Sequence, residues 1–334
     1  MKNSGENADK KHIVVSYKPR EEKRALIREY LGSASHVYFL ADMPAGLRQQ
    51  TLIAAEVLLS WNLRRELGPS EFSMLKNVRL IQLLSAGADS VPYDEVPRHI
   101  VIAGNVGAYA EPMAEHVLAM TLALAKNLFR EHQNLGRGEF NQSKLNRRLS
   151  GSICGILGFG GIGRATARLM RGVGMRIFAI NTTGRTDEPV EFIGTLDDLQ
   201  RVLSSSDVFV ISLPLKKATR GLIGKQQLDW MKRNAILINV ARGEIIDEAA
   251  LYAHLVSNPD FSGGIDAWWI EPFSHGEFRT NYPFLTLPNF LGSPHNSTMV
   301  PGVTDEATRR AMENVRRFLS GEEAIGIVRR EDYI

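Results

Sequence analysis

The chain of 334 residues contains a single cysteine, Cys154. A disulfide framework is therefore excluded, and a reducing, cytoplasmic compartment is the expectation. No apolar run approaches the roughly 18 residues of a spanning helix, so no membrane partner is expected. The most apolar stretch, residues 117–125, is too short to span and follows Glu115 and His116, so it reads as part of a buried helix. Charge of one sign is also scarce. The net charge is +3 with no dense Lys/Arg stripe, which argues against a nucleic-acid partner and supports only a weak preference for anions. Residues 1–11 lack an apolar core and read as a frayed tail rather than a signal peptide. No internal repeat or low-complexity segment is visible, and no metal site is expected.

What is present is an alternation of short β-rich runs with helical patterns, the mark of parallel α/β architecture. Residues 13–17, 36–40, 57–61, 80–84 and 100–103 read as strands, and 21–31 as an amphipathic helix. A second series of strands covers 152–157, 175–180, 208–213, 235–240, 263–267 and 290–292. Ile162, Ala165, Leu169, Met170 and Val173 recur at helical spacing. One long helical segment, about 111–134, separates the two series, and an amphipathic helix over 304–319 closes the chain.

Gly158-Phe159-Gly160-Gly161-Ile162-Gly163 fits G-x-G-x-x-G. With 29 glycines in the chain the match alone is weak, but it lies between a strand and a helix, the context the motif requires. Gly158 permits the tight turn, Gly160 lets backbone approach a pyrophosphate, and Gly163 lets helix and strand pack closely. The helix start then offers free N–H groups to phosphate. The next strand ends in Asn181-Thr182-Thr183-Gly184-Arg185, without the acid that would bind a ribose 2′-hydroxyl. Arg185 and the threonine hydroxyls suit a 2′-phosphate, which favours NADP; NAD, tolerated through Asn181, is the alternative.

Several further motifs follow in order. They are Leu80 to Gly87 (L-I-Q-L-L-S-A-G), Met113-Ala114-Glu115, Asp207 to Leu215 with Thr219 to Ile223, Leu237 to Gly243 with Asp247, Gly264-Ile265-Asp266 with Glu271-Pro272, and Ser293-Pro294-His295. Together they resemble the D-isomer-specific 2-hydroxyacid dehydrogenases, the family of D-lactate, glyoxylate/hydroxypyruvate and phosphoglycerate dehydrogenases. The resemblance implies two Rossmann-like or flavodoxin-like α/β domains with parallel sheets. A discontinuous substrate domain would cover 1–104 and 296–334, a cofactor domain 105–295, and the active site would lie in the cleft between them. It also implies a homodimer formed through the region of the long helix.

The chemistry follows from the reaction so implied. Reducing a 2-keto acid requires a group to hold the substrate carboxylate, stabilisation of charge on the carbonyl oxygen, and a proton delivered there. Arg242 has the planar fork for a carboxylate. His295 is the candidate acid/base because imidazole titrates nearest neutral pH. Among the eight histidines, His116 and His254 fall on helices, where a structural or surface role is expected, and His275 is the rival by position. The resemblance makes Glu271 the partner of His295 and Asp266 a bond to the nicotinamide carboxamide. It places Leu213, Pro214, Val240 and Ala241 beside the cofactor with Gly161 and Ile162, and gives Ser85, Ala86 and Gly87 to the substrate carboxylate. Asn296-Ser297-Thr298 replaces the family's usual residues after the histidine, and Trp268-Trp269 forms a bulky segment before Glu271, which reads as core packing. The alternative reading is a dinucleotide-binding, corepressor-like regulatory protein on the same fold.

Overall fold

The structure, a computed structural model, describes residues 10–32 and 35–334. Residues 1–9, most of the expected N-terminal tail, lie outside the described residues. The chain divides into two compact units, Met1–Ala108 with Pro301–Ile334, and Tyr109–Val300.

The first unit runs β1 (Lys11–Val15), α1 (Glu21–Leu31), β2 (Ser35–Phe39), α2 (Ala45–Ala54), β3 (Val57–Ser60), α3 (Leu63–Glu66), β4 (Leu80–Leu83) and β5 (Val101–Ala103). Its five strands pair in the order β2-β1-β3-β4-β5, every pairing parallel. A parallel sheet is covered on both faces, so its strands are apolar throughout instead of alternating. Both faces are visible in one strand: Ile13 and Val15 join a cluster with Ile27, while Val14 joins the opposite cluster with Leu52 and Leu58.

The second unit runs α4 (Ala110–Ala125), α5 (Leu128–Gly136), β6 (Ile153–Leu157), α6 (Gly161–Gly172), β7 (Arg176–Ile180), β8 (Phe192–Gly194), α7 (Leu199–Ser205), β9 (Val208–Ile211), α8 (Lys225–Trp230), β10 (Ile236–Asn239), α9 (Glu248–Ser257), β11 (Ser262–Ile265), α10 (Pro272–His275) and β12 (Phe290–Gly292). The chain then returns to the first unit as α11 (Val303–Leu319), whose Ala311, Met312 and Val315 complete the cluster around Ile13. The seven strands pair β12-β11-β10-β9-β6-β7-β8, again all parallel. Strand order reverses between β6 and β9, the switch point beyond whose carboxyl ends such sheets bind ligands. Alanines at the crossing of α4 and α6 (Ala110, Ala114 and Ala165) let these helices approach closely. Cys154 is wholly buried in β6, and burial pushes its thiol up to about 12.

The expected single helix over 111–134 is two helices. The chain breaks at Asn127, which adopts φ 50°, a left-handed conformation that asparagine tolerates better than most residues. Lys126 Nζ bonds the Arg147 carbonyl at 2.8 Å and Asn127 Nδ2 bonds Asn146 Oδ1 at 3.2 Å, fixing the break. Beyond it α5 buries no residue, and Leu128 and Leu135 stay exposed. β8, at the edge of the seven-stranded sheet, was not expected from the sequence. Among the described residues no helix is long and apolar enough to cross a membrane.

Candidate active site

The residues singled out in the second unit follow the carboxyl ends of its strands. Gly158 follows β6, Asn181 follows β7, Leu213 and Pro214 follow β9, Val240 to Arg242 follow β10, Asp266 follows β11 and His295 follows β12. Parallel pairing places all these ends on one edge of the sheet. β10, β11 and β12 are direct neighbours, so the loops bearing Arg242, Asp266 with Glu271, and His295 lie side by side.

The glycine turn has the geometry a dinucleotide needs. Gly158 has φ 100°, and a Cβ there would sit 2.5 Å from the Leu213 amide nitrogen. A Cβ at Gly163 would strike the Gly158 carbonyl. Gly160, by contrast, faces open space, with nothing within 4 Å of a Cβ. It precedes α6, whose start carries no side-chain cap and no acid in its first turn. Unshared N–H groups, the positive end of a twelve-residue helix and an open approach at Gly160 fit a pyrophosphate.

The loop after β7 is shaped by Asn181. Its Oδ1 accepts from the amides of Thr183 at 3.0 Å and Gly184 at 2.7 Å, and its Nδ2 donates to the Arg185 carbonyl at 2.8 Å. Thr182, Thr183 and Arg185 are presented outward. Asp187 pairs with Arg164 at 2.7 Å, whereas no acid among the described residues pairs with Arg185.

Arg242 is half-buried, and its Nη1 donates to the Ala241 carbonyl at 2.7 Å. The next residue explains the course of the loop. A Cβ on Gly243 would lie 2.5 Å from the Trp269 amide nitrogen, so the Arg242 loop presses directly on the Trp268–Trp269 peptide. Only glycine permits that approach. The tryptophans pack as expected: Trp268 is buried against Phe290, and Trp269 stacks on Phe284. The Trp268 amide donates to Glu271 Oε1 at 2.6 Å, which fixes one carboxylate oxygen.

Both Glu271 oxygens face His295 Nδ1, at 2.8 and 3.0 Å. The carboxylate is buried, while the imidazole keeps 34% of its surface exposed. With Nδ1 committed to the carboxylate, Nε2 is the nitrogen left for a reacting atom. His295 also has φ 50°, a strained conformation for a non-glycine residue that costs about 1–3 kcal/mol. His275 accepts from the Glu271 amide through its own Nδ1 at 3.3 Å and so caps its turn. His254 packs edge-on against Phe261, and burial lowers its pKa.

Asp266 is fully buried. Ser293 Oγ donates to its Oδ1 at 2.6 Å, the Asn296 amide reaches the same oxygen at 3.1 Å, and the Ser297 amide reaches Oδ2 at 3.3 Å. Burial alone would raise its pKa. The bonds from Ser293 and Ser297, with the imidazoles of His116 and His295 nearby, outweigh burial and hold it below the usual aspartate value. His116 lies 2.9 Å from Ser293 Oγ through Nε2. Sequence reasoning gave neither Ser293 nor His116 a part here, since positions 116, 266 and 293 share no spacing that would announce a contact. In the first unit, Ser85 Oγ donates to the Gly87 carbonyl at 2.8 Å, and Ala86 is exposed at the turn.

Known proteins resemble this chain in family and fold. The family model for the NAD-binding domain of D-isomer-specific 2-hydroxyacid dehydrogenases matches residues 118–297. The hydroxypyruvate reductase of Thermotoga maritima is 32% identical over 238 residues, covering 70% of this chain and 74% of that protein. The structure of a glycerate dehydrogenase-related protein from Thermoplasma acidophilum superimposes with a TM-score of 0.62 at 30% identity, covering 92% of this chain and 99% of that one. A D-isomer-specific 2-hydroxyacid dehydrogenase from Xanthobacter autotrophicus, in complex with NADPH and MES, shares the fold with a TM-score of 0.79 at 24% identity, covering 97% of this chain and 100% of that one. The chain belongs to the D-isomer-specific 2-hydroxyacid dehydrogenase family, and with it to the NAD(P)-dependent oxidoreductases.

The depressed pKa of Asp266 has a measurable consequence. An aspartate ionises near pH 3.9 when unfolded, so this carboxylate contributes its full stability above about that pH and loses it as pH falls through the lower folded value. Asp266→Asn is therefore expected to be less stable than wild type at pH 7, with the gap narrowing below about pH 4. Urea midpoints of both proteins between pH 7 and pH 3 read this directly. A gap independent of pH would contradict the assignment.

Proposed function

We propose that the chain reduces small 2-keto acids to D-2-hydroxy acids with NADPH, His295 serving as the acid/base. The observation that carries this reading is the His295–Glu271 pair, set on the strand-end edge beside the loop of Arg242. Gly158, Gly160, Gly161, Ile162 and Gly163 would hold the pyrophosphate. Thr182, Thr183 and Arg185, shaped by Asn181, would take the 2′-phosphate, and Leu213, Pro214, Val240, Ala241 and Asp266 would border the nicotinamide. When bound, the reduced nicotinamide supplies a hydride to the carbonyl carbon.

The roles of the chain's own groups follow. The Arg242 guanidinium binds the substrate carboxylate by paired N–H bonds and polarises the carbonyl. Ser85 and the amides of Ala86 and Gly87 are assigned to the same carboxylate. His295 donates the Nε2 proton to the carbonyl oxygen as charge develops there. Glu271 accepts from Nδ1 and orients the ring so that Nε2 is presented to the carbonyl oxygen. The relatives' names point to glyoxylate and hydroxypyruvate as the substrates to try first. The single buried thiol fits a reducing cytoplasm. A homodimer is proposed through α5 and the loop after it, where Leu128, Phe129, Leu135, Phe140 and Leu145 are exposed. Exposed apolar side chains gathered in one segment mark such contacts.

The reading is tested by following NADPH oxidation with glyoxylate, hydroxypyruvate, pyruvate and phenylpyruvate. Turnover of at least one is expected, and His295→Ala should lower kcat by about 10²- to 10⁴-fold with cofactor binding kept. Cofactor binding without turnover of any of them would move the protein to the regulatory reading.

The cofactor assignment has its own measurement. Arg185→Ala should weaken NADPH by at least about tenfold, the loss of one charge-assisted contact, and leave NADH nearly unchanged. Equal losses for both cofactors would discard the 2′-phosphate assignment.

Sedimentation at micromolar concentration should show a dimer, and Phe140→Ser with Leu145→Ser should dissociate it. A wild-type monomer would refute the proposed contact.

A further inference from the structure

One aspartate holds three consecutive amides. The Asp266 carbonyl accepts from His295 N at 2.9 Å, and its carboxylate accepts from the amides of Asn296 and Ser297. These bonds span the residue with the left-handed backbone, His295. A buried carboxylate is costly unless its lone pairs are filled and a cation or strong donor stands near. The His295 ring lies nearby but does not bond this carboxylate, because its Nδ1 is taken by Glu271. The other imidazole at hand is His116 on α4, whose Nε2 lies 2.9 Å from Ser293 Oγ and 3.6 Å from Asp266 Oδ1.

The protons on this string are fixed by counting. Ser293 has one hydroxyl hydrogen, and the 2.6 Å contact to a carboxylate claims it. At the 2.9 Å contact the serine oxygen must then accept, so His116 Nε2 carries the hydrogen. The result is a directed chain from imidazole N–H to hydroxyl to carboxylate. It starts from a rigid post, for α4 packs against α6 and the strands β10, β11 and β12. We propose that His116 is a positioning residue for the acid/base centre: through Ser293 and Asp266 it holds the backbone that presents His295. This rests on the proposed role of His295 as acid/base. Removing the His116 donor frees Ser293 to rotate and leaves Asp266 with a weaker grip on the amides beyond β12. The Glu271–His295 bond itself is untouched by that change, so the loss is one of placement.

The test compares His116→Leu, His116→Gln and Ser293→Ala in the full-length protein. His116→Leu is expected to lower kcat for the keto acid by about ten- to a hundredfold, the scale of a small misplacement, with KM little changed. His116→Gln should recover most of that loss, because its amide donates at a similar reach. The amides of Asn296 and Ser297 should exchange with deuterium faster in both His116→Leu and Ser293→Ala. Should His116→Leu fail to fold, Ser293→Ala cuts the same string by removing one oxygen and carries the comparison. Unchanged kcat together with unchanged exchange of those two amides would overturn the proposal. If wild type turns over no keto acid, the proposed function fails, and the amide exchange alone then judges His116: faster supports the positioning role, unchanged refutes it.

Discussion

The buried carboxylate of Asp266 is the constraint on which the site depends. It sits where β11 ends and gathers the chain beyond β12, bonding Ser293 and the amides of Asn296 and Ser297. Those contacts over-determine a backbone that would otherwise relax, and a strained φ at His295 persists only under such control. The Glu271 bond then needs only to set the ring. Backbone and ring are thus fixed by two different acids, each with its own donors.

A second constraint is steric. The Arg242 loop and the segment leading to Glu271 touch at the peptide of Trp268 and Trp269, where Gly243 leaves no room for a side chain. The tryptophan rings behind that peptide are locked by Phe284 and Phe290 and by bonds from their indole nitrogens to the carbonyls of Ser293 and Ile246. Core packing and the placement of a charged side chain are therefore one problem here. That accounts for so bulky a segment standing close to polar chemistry.

Much of the fold was legible in the sequence, for a physical reason. Parallel strands are buried on both faces, so runs such as Val208 to Ile211 and Ile236 to Ile238 announce themselves without alternation. The helix at Glu21–Leu31 is legible to the residue from its amphipathic spacing. The break at Asn127 was not, because periodicity continues across it and only a left-handed asparagine interrupts the axis. At the site, the glycine turn was readable from local order alone. The approach of Glu271 to His295 came only through family resemblance, as 24 residues separate them. The link from His116 to Ser293 spans 177 positions, and no local pattern carries it.

Cys154 bears on how motion in this protein becomes observable. Its sulfur is sealed inside β6, and a thiol held near pH 12 is almost never the thiolate that alkylating reagents attack. The native background is therefore silent to maleimide chemistry. A pair of cysteines introduced on the surface, one in each unit, would take up spin labels or fluorophores without first deleting the natural residue. Distances between the two units, with and without cofactor, thus become measurable on an otherwise unaltered core.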